Sequence, residues 1–523
     1  MKRKDFILLI GIVLIAAFIR LFWITKVPPS LDWDEASVGY DAYSILQTGK
    51  DQWGKVLPVV FKSFGEFKYP IHIYFTALAT DVFGYGIFSV RIGSAIFGIV
   101  DVLLLFFLTL HLTKNKLVAF LSSLFLALSP WDIQFSRVNW ETNFGLFFFF
   151  FGFFLFLKGI EKKKILIPIS FILFGIDLFT YNAAKVFIPL FVFALVVIYS
   201  KDLLKNKIIS LIGIFLFLGF ILVNVFNPDL SGLTRLDQVT FNTEEVESTY
   251  LYKITKHQKV GIAQLVAENY LSHFTPKFLF ISGDSNPRHS IQTVGELYLY
   301  DAILLPFGIF YLLRKKNKWS LLLLIWFFLA PLPAAIATEA PHASRSMFAL
   351  GGWQIVSATG FYYLLSLIRK TKFEFWFVAF SCVALFLFIE DYSYKYIWNY
   401  STAYSSDWQY GYMRIFTDYK NDFGKYKKVI ISDQDGQPYI FALYYLKYDP
   451  NSFRQEVVYN PESDWGASTV KSFGNFEFKK IEASDLQKNT LVFATPNDKI
   501  PSVSPTGEIK DLNGEVSFWV YSK

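Results

Sequence analysis

The run FGLFFFFFGFFLFL, starting at Phe144, contains no charged residue, and IISLIGIFLFLGFILVNVF from Ile208 is longer still. Backbone N–H and C=O groups find no water in a bilayer core, so an uninterrupted apolar run of this kind forms a helix there. Soluble domains are about 45–50% apolar with scattered apolar stretches. This chain is 53% hydrophobic and 20% aromatic, with the apolar residues gathered in runs. About eleven segments approach the ~20 residues a spanning helix needs. They lie near 6–24, 87–111, 117–130, 142–158, 164–181, 184–200, 207–226, 297–313, 319–337, 345–368 and 373–391. The first follows MKRK, but FILLIGIVLIAAFIRLFWI is too long for a cleaved leader and reads as a retained span, with Arg20 snorkelling to the interface. The Phe-rich run around Phe147 reads as lipid-facing filler.

The formal charge of +7 would suit nucleic acid if it lay in one patch. It lies instead in short loops between the apolar runs: MKRK, TKNK from Thr113, KGIEKKK from Lys158, KDLLKNK from Lys201, RKKNK from Arg314 and RKTK from Arg369. That is the positive-inside pattern, so nucleic acid is not an expected partner. With MKRK cytoplasmic, every basic loop falls inside, and the long polar segments 25–86, 227–296 and 392–523 fall outside. The expected architecture is an all-α polytopic membrane domain over 1–391 and a small extracytoplasmic α/β domain over 392–523. Its composition and basic loops suit a prokaryotic cell membrane.

In the first outer loop, Val38, Ala42, Ile45 and Leu46 share one helical face and Gly49 is a stop, which predicts a helix lying in the interface. IHIYFTALATDVFG predicts a second, with QWGKVLPVVFKSFGEFKYP extended between them. In the tail, KKVIISD and NTLVFAT read as buried strands, FEFKKI and VSFWVY as half-exposed strands, and QPYIFALYYLKYDP as a helix.

Chemistry-bearing residues gather on the same outer side. Asp34 and Glu35 directly follow the first span. Such a pair suits a general base toward a hydroxyl, a divalent cation such as magnesium or manganese, or a solvated helix start. Lys68, Arg91, Arg137, Arg288 and Arg345 are cations fit for phosphate, and His289 and His342 lie beside the last two. Glu141 stands one helical turn after Arg137, and Asp177 and Lys185 flank the hairpin DLFTYNAAKVF, facing one cavity or each other. Asp101 sits deep in a span, where an ionisable group is a functional candidate or a partner to a neighbouring helix. The six histidines show no metal-ligand spacing, and there is no HExxH, CxxC, GxSxG or P-loop. An outward-facing transferase would therefore need an activated donor delivered by the membrane itself.

DWDEASVGYDAYSIL, GEFKYPIHIYFTALATDVFGYGIFSVRIGSAIFG and TYNAAKVFIPL together resemble the C-type superfamily of integral-membrane glycosyltransferases, in particular its protein O-mannosyltransferase and aminoarabinose-transferase-like branch. The resemblance covers about residues 1–390 and does not reach the tail. It implies transfer of a sugar, with inversion, from a polyprenyl-phosphate donor to the hydroxyl of a protein, lipid or glycan. Asp34 then matches the catalytic acid of the first outer loop, with Glu35 beside it, and Lys68 matches a lysine on the donor phosphate. Arg137 with Glu141 resembles a basic–acidic pair of the second outer loop, in which Asp is commoner than Glu. Arg288, His342 and Arg345 have approximate counterparts. Two other classes compete: a carrier or flippase using Asp101, Asp177 and Lys185, and a non-catalytic envelope protein whose tail binds a partner. Neither explains both the long outer segments and the paired acids.

Overall fold

A computed structural model of the protein describes residues 2–65, 67–231, 239–461, 469–498, 500 and 503–523. Part of the predicted large outer loop, residues 232–238, lies outside them. The chain divides into two compact units. The first holds Met1–Phe22, Ser94–Arg137 and Glu141–Ser393; the second holds Trp23–Gly93, Val138–Trp140 and Tyr394–Lys523. Residues 25–86 cluster with the tail, and apolar residues among them join the tail's core.

A helix stands at each of the eleven predicted segments of the chain. Among the described residues, five are long and apolar enough to cross a membrane unaided: Ile87–Thr113, Glu141–Glu161, Lys207–Phe226, Lys318–Ala335 and Phe373–Ala403. The predicted span 117–130 breaks into Lys116–Ala127 and Pro130–Ser136, bent by 55° where Pro130 removes a backbone donor. Counting that bent pair as one span makes six, so the geometry supports a multi-pass protein without reproducing eleven full-length spans.

Five of the basic loops of the first unit, all but that from Arg369, are linked at one end. Lys116 pairs with Asp5 at 2.5 Å, Lys114 with Glu161 at 3.1 Å and Lys318 with Asp202 at 2.6 Å. Residues Thr113–Lys116 line one cavity with Lys315 and Asn317, which joins these loops into a single face.

Two expectations for this unit are corrected. Phe149, Phe150, Phe153 and Phe156 do not face lipid; all four are fully buried. Phe149 meets the rings of Phe187, Phe191, Trp326 and Phe348 edge-on at 4.9–5.8 Å, so edge-to-face packing ties four segments together. Arg20 does not snorkel. It is fully buried, paired with the Asp132 carboxylate, and donates to the Ala127 carbonyl at 3.1 Å. Two charges removed from solvent hold each other here better than either is held alone.

The second unit is an α/β body. Its seven-stranded sheet has the order β4-β5-β6-β3-β7-β9-β8, where β3 is Lys428–Ile431, β4 Val458–Tyr459, β5 Val470–Phe473, β6 Phe476–Phe478, β7 Thr490–Ala494, β8 Gly507–Lys510 and β9 Val516–Ser522. β3 runs parallel to β6 and β7 in the middle, and the flanking pairs are antiparallel. The central strands VII and TLVFA are buried on both faces, as the continuous apolar runs require. The predicted strands and the helix Pro438–Tyr445 are all present.

After the first helix, α1 (Arg3–Leu21), the first outer loop forms two more, α2 (Trp33–Thr48), which packs on the tail helix Pro438–Tyr445, and α3 (Pro70–Phe83), which packs on α2. Asp32 caps α2 by accepting the Glu35 N–H at 2.8 Å, and Gly49 ends it at φ 68°. The hairpin β1 (Phe61–Lys62) and β2 (Phe67–Lys68) lies between them. Leu31, Ala36 and Tyr40 join one apolar cluster with Tyr412, Phe441, Tyr444 and the inner face of the sheet. At Gly39 the helices approach so closely that a Cβ would meet the Tyr444 ring at 2.5 Å and Val90 at 2.9 Å.

Candidate functional site

Adjacent in sequence, Asp34 and Glu35 occupy opposite environments. Both fall in the first turn of α2, but 100° of helical rotation per residue turns one outward and one inward. The Asp34 side chain keeps 32% of its surface exposed, whereas that of Glu35 is 0% exposed.

Lys68 and the Trp33 indole both hold Asp34. Lys68 Nζ lies 2.8 Å from Oδ1, and the Trp33 indole N–H donates to Oδ2 at 3.0 Å. The Lys68 ammonium also reaches the Asp34 carbonyl at 3.4 Å and lies 5.0 Å above the Phe64 ring. The lysine itself is buried. The result is a half-open carboxylate with a fixed cation beside it, carried by a helix and a hairpin rather than by a loose loop.

Glu35 forms a closed network. Arg91 donates to both its oxygens, at 2.9 and 2.7 Å, and to the carbonyls of Ile24 at 3.0 Å, Pro28 at 2.9 Å and Ser30 at 2.6 Å. A guanidinium has five N–H donors, so all are used. Glu35 Oε1 also accepts the Asn139 N–H at 3.0 Å. Arg91 was expected to bind donor phosphate; its donors are spent inside the protein, because the chain turns back around it between Ile24 and Ser30. A divalent cation shared by Asp34 and Glu35 is likewise a poor fit, since each carboxylate already faces its own cation.

His72, on α3, was not singled out by the sequence. It is buried near both Lys68 and Asp34. Burial, reinforced by Lys68 and opposed by Asp34, pushes its pKa down to about 3. An unfolded histidine titrates near 6.5, so His72 contributes stability above that pH and loses it as pH falls toward 3. Asp41, fully buried and raised by burial and by Asp51 to about 8, has the opposite sign. His72→Gln is therefore expected to gain stability relative to the wild type below pH 6.5, by about 1.4 kcal/mol per pH unit. Thermal melts of both proteins between pH 7 and 4 measure it, and a constant offset would refute the assignment.

The remaining predicted site residues lie in the first unit. Arg137 and Glu141 do not share a helical turn: Pro130–Ser136 ends at Arg137 and Glu141 opens the next helix. The Arg137 guanidinium donates to the Ile19 carbonyl at 2.5 Å. Asp177 and Lys185, expected to face one cavity or each other, have separate partners. Asp177 accepts from Thr180 Oγ1 at 2.9 Å, and Lys185 donates to the Leu230 carbonyl and to Asn182 at 3.3 Å. Asp101 is fully buried, and among the described residues its carboxylate has no hydrogen-bond partner. Arg345 donates to the Thr338 carbonyl at 2.6 Å and pairs with Glu339 at 3.3 Å. The Arg288 carbonyl accepts from Gln134 at 2.6 Å.

His289 and His342 come together on an acid the sequence reading passed over, Asp284. The Asp284 Oδ2 atom is 2.9 Å from His289 Nδ1 and 3.8 Å from His342 Nδ1. The histidines show no metal-ligand spacing along the sequence, yet the fold groups two of them with this acid. The third member arrives from a distant loop, which no local spacing reveals.

A body of apolar helices and an α/β tail are a fold with counterparts among solved structures. Residues 68–226 match the family model of dolichyl-phosphate-mannose-protein mannosyltransferase. The chain thus resembles this family over residues 68–226, and its likeness to the solved structures that follow is one of fold. Among solved structures it is similar to ArnT from Cupriavidus metallidurans bound to undecaprenyl phosphate, with a TM-score of 0.57 and 11% identity, covering 99% of this chain and 98% of that one. It is also similar to the archaeal oligosaccharyltransferase AglB from Archaeoglobus fulgidus in complex with an inhibitory peptide and a dolichol-phosphate. That match has a TM-score of 0.52 and 13% identity over 85% of this chain, and the chain spans 64% of the archaeal protein's length. No curated protein matches the chain.

Proposed function

We propose that this protein transfers a sugar from a polyprenyl-phosphate donor to an acceptor hydroxyl on the extracytoplasmic face, with inversion at the anomeric carbon. The observation that carries the reading is the half-exposed Asp34 carboxylate with the buried Lys68 ammonium 2.8 Å away. Asp34 takes the proton of the acceptor hydroxyl as its oxygen bonds to the anomeric carbon. The bond from that carbon to the phosphate oxygen breaks, and the polyprenyl phosphate departs with the electron pair. Lys68 offers that growing negative charge a pre-positioned cation, the role for which electrostatic preorganisation is most effective. Phosphate leaves readily, so no strong general acid is required. Glu35 and Arg91 act one step back: they fix the start of α2 and hence the direction of Asp34.

The similarity of fold to ArnT with undecaprenyl phosphate and to AglB with a dolichol-phosphate supports a lipid-linked donor. The alternation of short basic loops with the long polar segments along the sequence supports an outward-facing first loop and tail, since such basic loops stay cytoplasmic. Of the remaining cations, Arg137, Arg288 and Arg345 stay candidates for the donor, with Glu141, Asp177 and Lys185 as candidates for positioning it.

Purified protein incubated with polyprenyl-phosphate sugars, followed by mass spectrometry of donors and acceptors, tests the reading directly. Consumption of the donor only when a hydroxyl acceptor is present supports it; donor left intact with every acceptor refutes it. Lys68→Met is expected to lower kcat/KM for the lipid donor by about tenfold to a hundredfold, with Lys68→Arg recovering part of the loss. Unchanged kinetics in Lys68→Met would remove the lysine from the phosphate.

A further inference from the structure

Asp284, His289 and His342 present one ligand atom each, all within 4.8 Å of one another. The three are built into place rather than gathered at the surface. Asp284 is 3% exposed, and each histidine side chain keeps 13% of its surface. The Asp284 carboxylate takes the Asn286 N–H at 2.9 Å and the Ala343 N–H at 2.7 Å, while its own N–H donates to Glu296 at 2.9 Å. Gly283, at φ 76°, makes the turn that brings Asp284 in; a Cβ there would meet Ser290 at 2.7 Å and Glu296 at 2.9 Å. His342 is anchored by its backbone N–H, which donates to His273 Nε2 at 3.1 Å, and His273 in turn uses Nδ1 on the Asn269 carbonyl at 2.8 Å. His273 is thereby committed as a support and is not a ligand.

His342 Nδ1 stands 3.8 Å from Asp284 Oδ2, too far for a hydrogen bond, and accepts the Arg345 backbone N–H at 3.4 Å. The two imidazole rings lie 4.8 Å apart on one side of that carboxylate. A cation placed among the three ligand atoms, all within 4.8 Å of one another, would draw them together.

We propose that Asp284, His289 and His342 bind a divalent transition-metal ion, best fitted by zinc, which fastens the loop carrying Arg288 to the loop carrying Arg345. Two imidazoles and one carboxylate suit zinc and its neighbours, whereas magnesium and calcium take mostly oxygen ligands. Bond lengths of about 2.0–2.2 Å around a tetrahedral zinc put ligand atoms about 3.3 Å apart. The distances of 2.9 and 3.8 Å straddle that spacing, so small side-chain rotations close the site. Three protein ligands leave a fourth position for water or a substrate oxygen. This inference is independent of the proposed transfer reaction, since it rests on none of Asp34, Lys68 or the donor.

The test uses the full chain in detergent, stripped with a chelator and then given zinc, magnesium or manganese alone. Wild-type protein is expected to retain about one zinc per chain by elemental mass spectrometry after desalting, with a rise in Tm that neither magnesium nor manganese reproduces. Asp284→Asn, His289→Gln and His342→Gln are each expected to weaken zinc binding at least about tenfold. Glu339→Gln, outside the triad, is expected to keep it. Cobalt substitution checks folding and geometry together, because a four-coordinate cobalt spectrum arises only from an intact site. Wild-type protein that melts cooperatively yet binds no zinc overturns the proposal. So does zinc retained at full stoichiometry in all three triad variants.

Discussion

Asp34→Asn is expected to reduce sugar transfer by about 10²–10⁴-fold while leaving the melting temperature within a few degrees of the wild type. The substitution keeps the shape of the side chain and can still accept the Trp33 indole N–H, but it removes the group that receives the acceptor's proton. Asp34 is partly exposed, so solvent reaches the amide that replaces its carboxylate. Donor affinity is expected to hold or to rise slightly, since Lys68 is released from its carboxylate partner. The measurement is initial rate against donor and acceptor concentration, with circular dichroism as a folding control. Wild-type rates in a folded Asp34→Asn protein would end the assignment of Asp34 as base.

Its neighbour is expected to behave in the opposite way. Arg91→Met is predicted to cost about 3–5 kcal/mol, because it leaves the Glu35 carboxylate buried without its cation and removes the donors serving three carbonyls. Activity is then lost through the fold of the first outer loop rather than through chemistry. The double variant Glu35→Gln/Arg91→Met is expected to recover part of that loss, since the uncompensated charge goes with the arginine. Chemical denaturation of the four proteins of this cycle gives the coupling energy. A single Arg91→Met variant as stable as the wild type would show that the buried pair is not what orders Ile24–Ser30.

The contrast between these two variants marks where reading residues in order stops being informative. Asp34 and Glu35 are one position apart and chemically alike, and both are plausible bases, ligands or caps. Their roles separate only when the helix start is fixed by Asp32, because the helical rotation then sends one side chain to solvent and the other onto Arg91. Arg91 and Arg20 mislead for the same reason. An arginine near a span end reads as an interfacial anchor or a phosphate ligand, yet both are fully buried against carboxylates distant in the chain. Arg137 and Glu141 looked like a single helical turn until the break between their helices separated them.

What the residue order determined by itself is everything that depends on local period and on transfer from water. Apolar runs with no polar alternative declared the helices, most of the basic loops gathered at one end as their spacing required, and Asp32, Gly49 and Pro70 set the bounds of the interfacial helices. The tail's strands were equally plain, because a strand buried on both faces has no choice but continuous apolar sequence. Tertiary structure decided whatever needed two distant segments to meet. It joined residues 23–93 to the tail, chose Lys68 as the partner of Asp34, turned the Phe149 face inward, and brought His342 to Asp284 and His289. Those pairings are set by long-range packing and by the cost of leaving a buried charge alone, neither of which is written in the spacing of neighbouring residues.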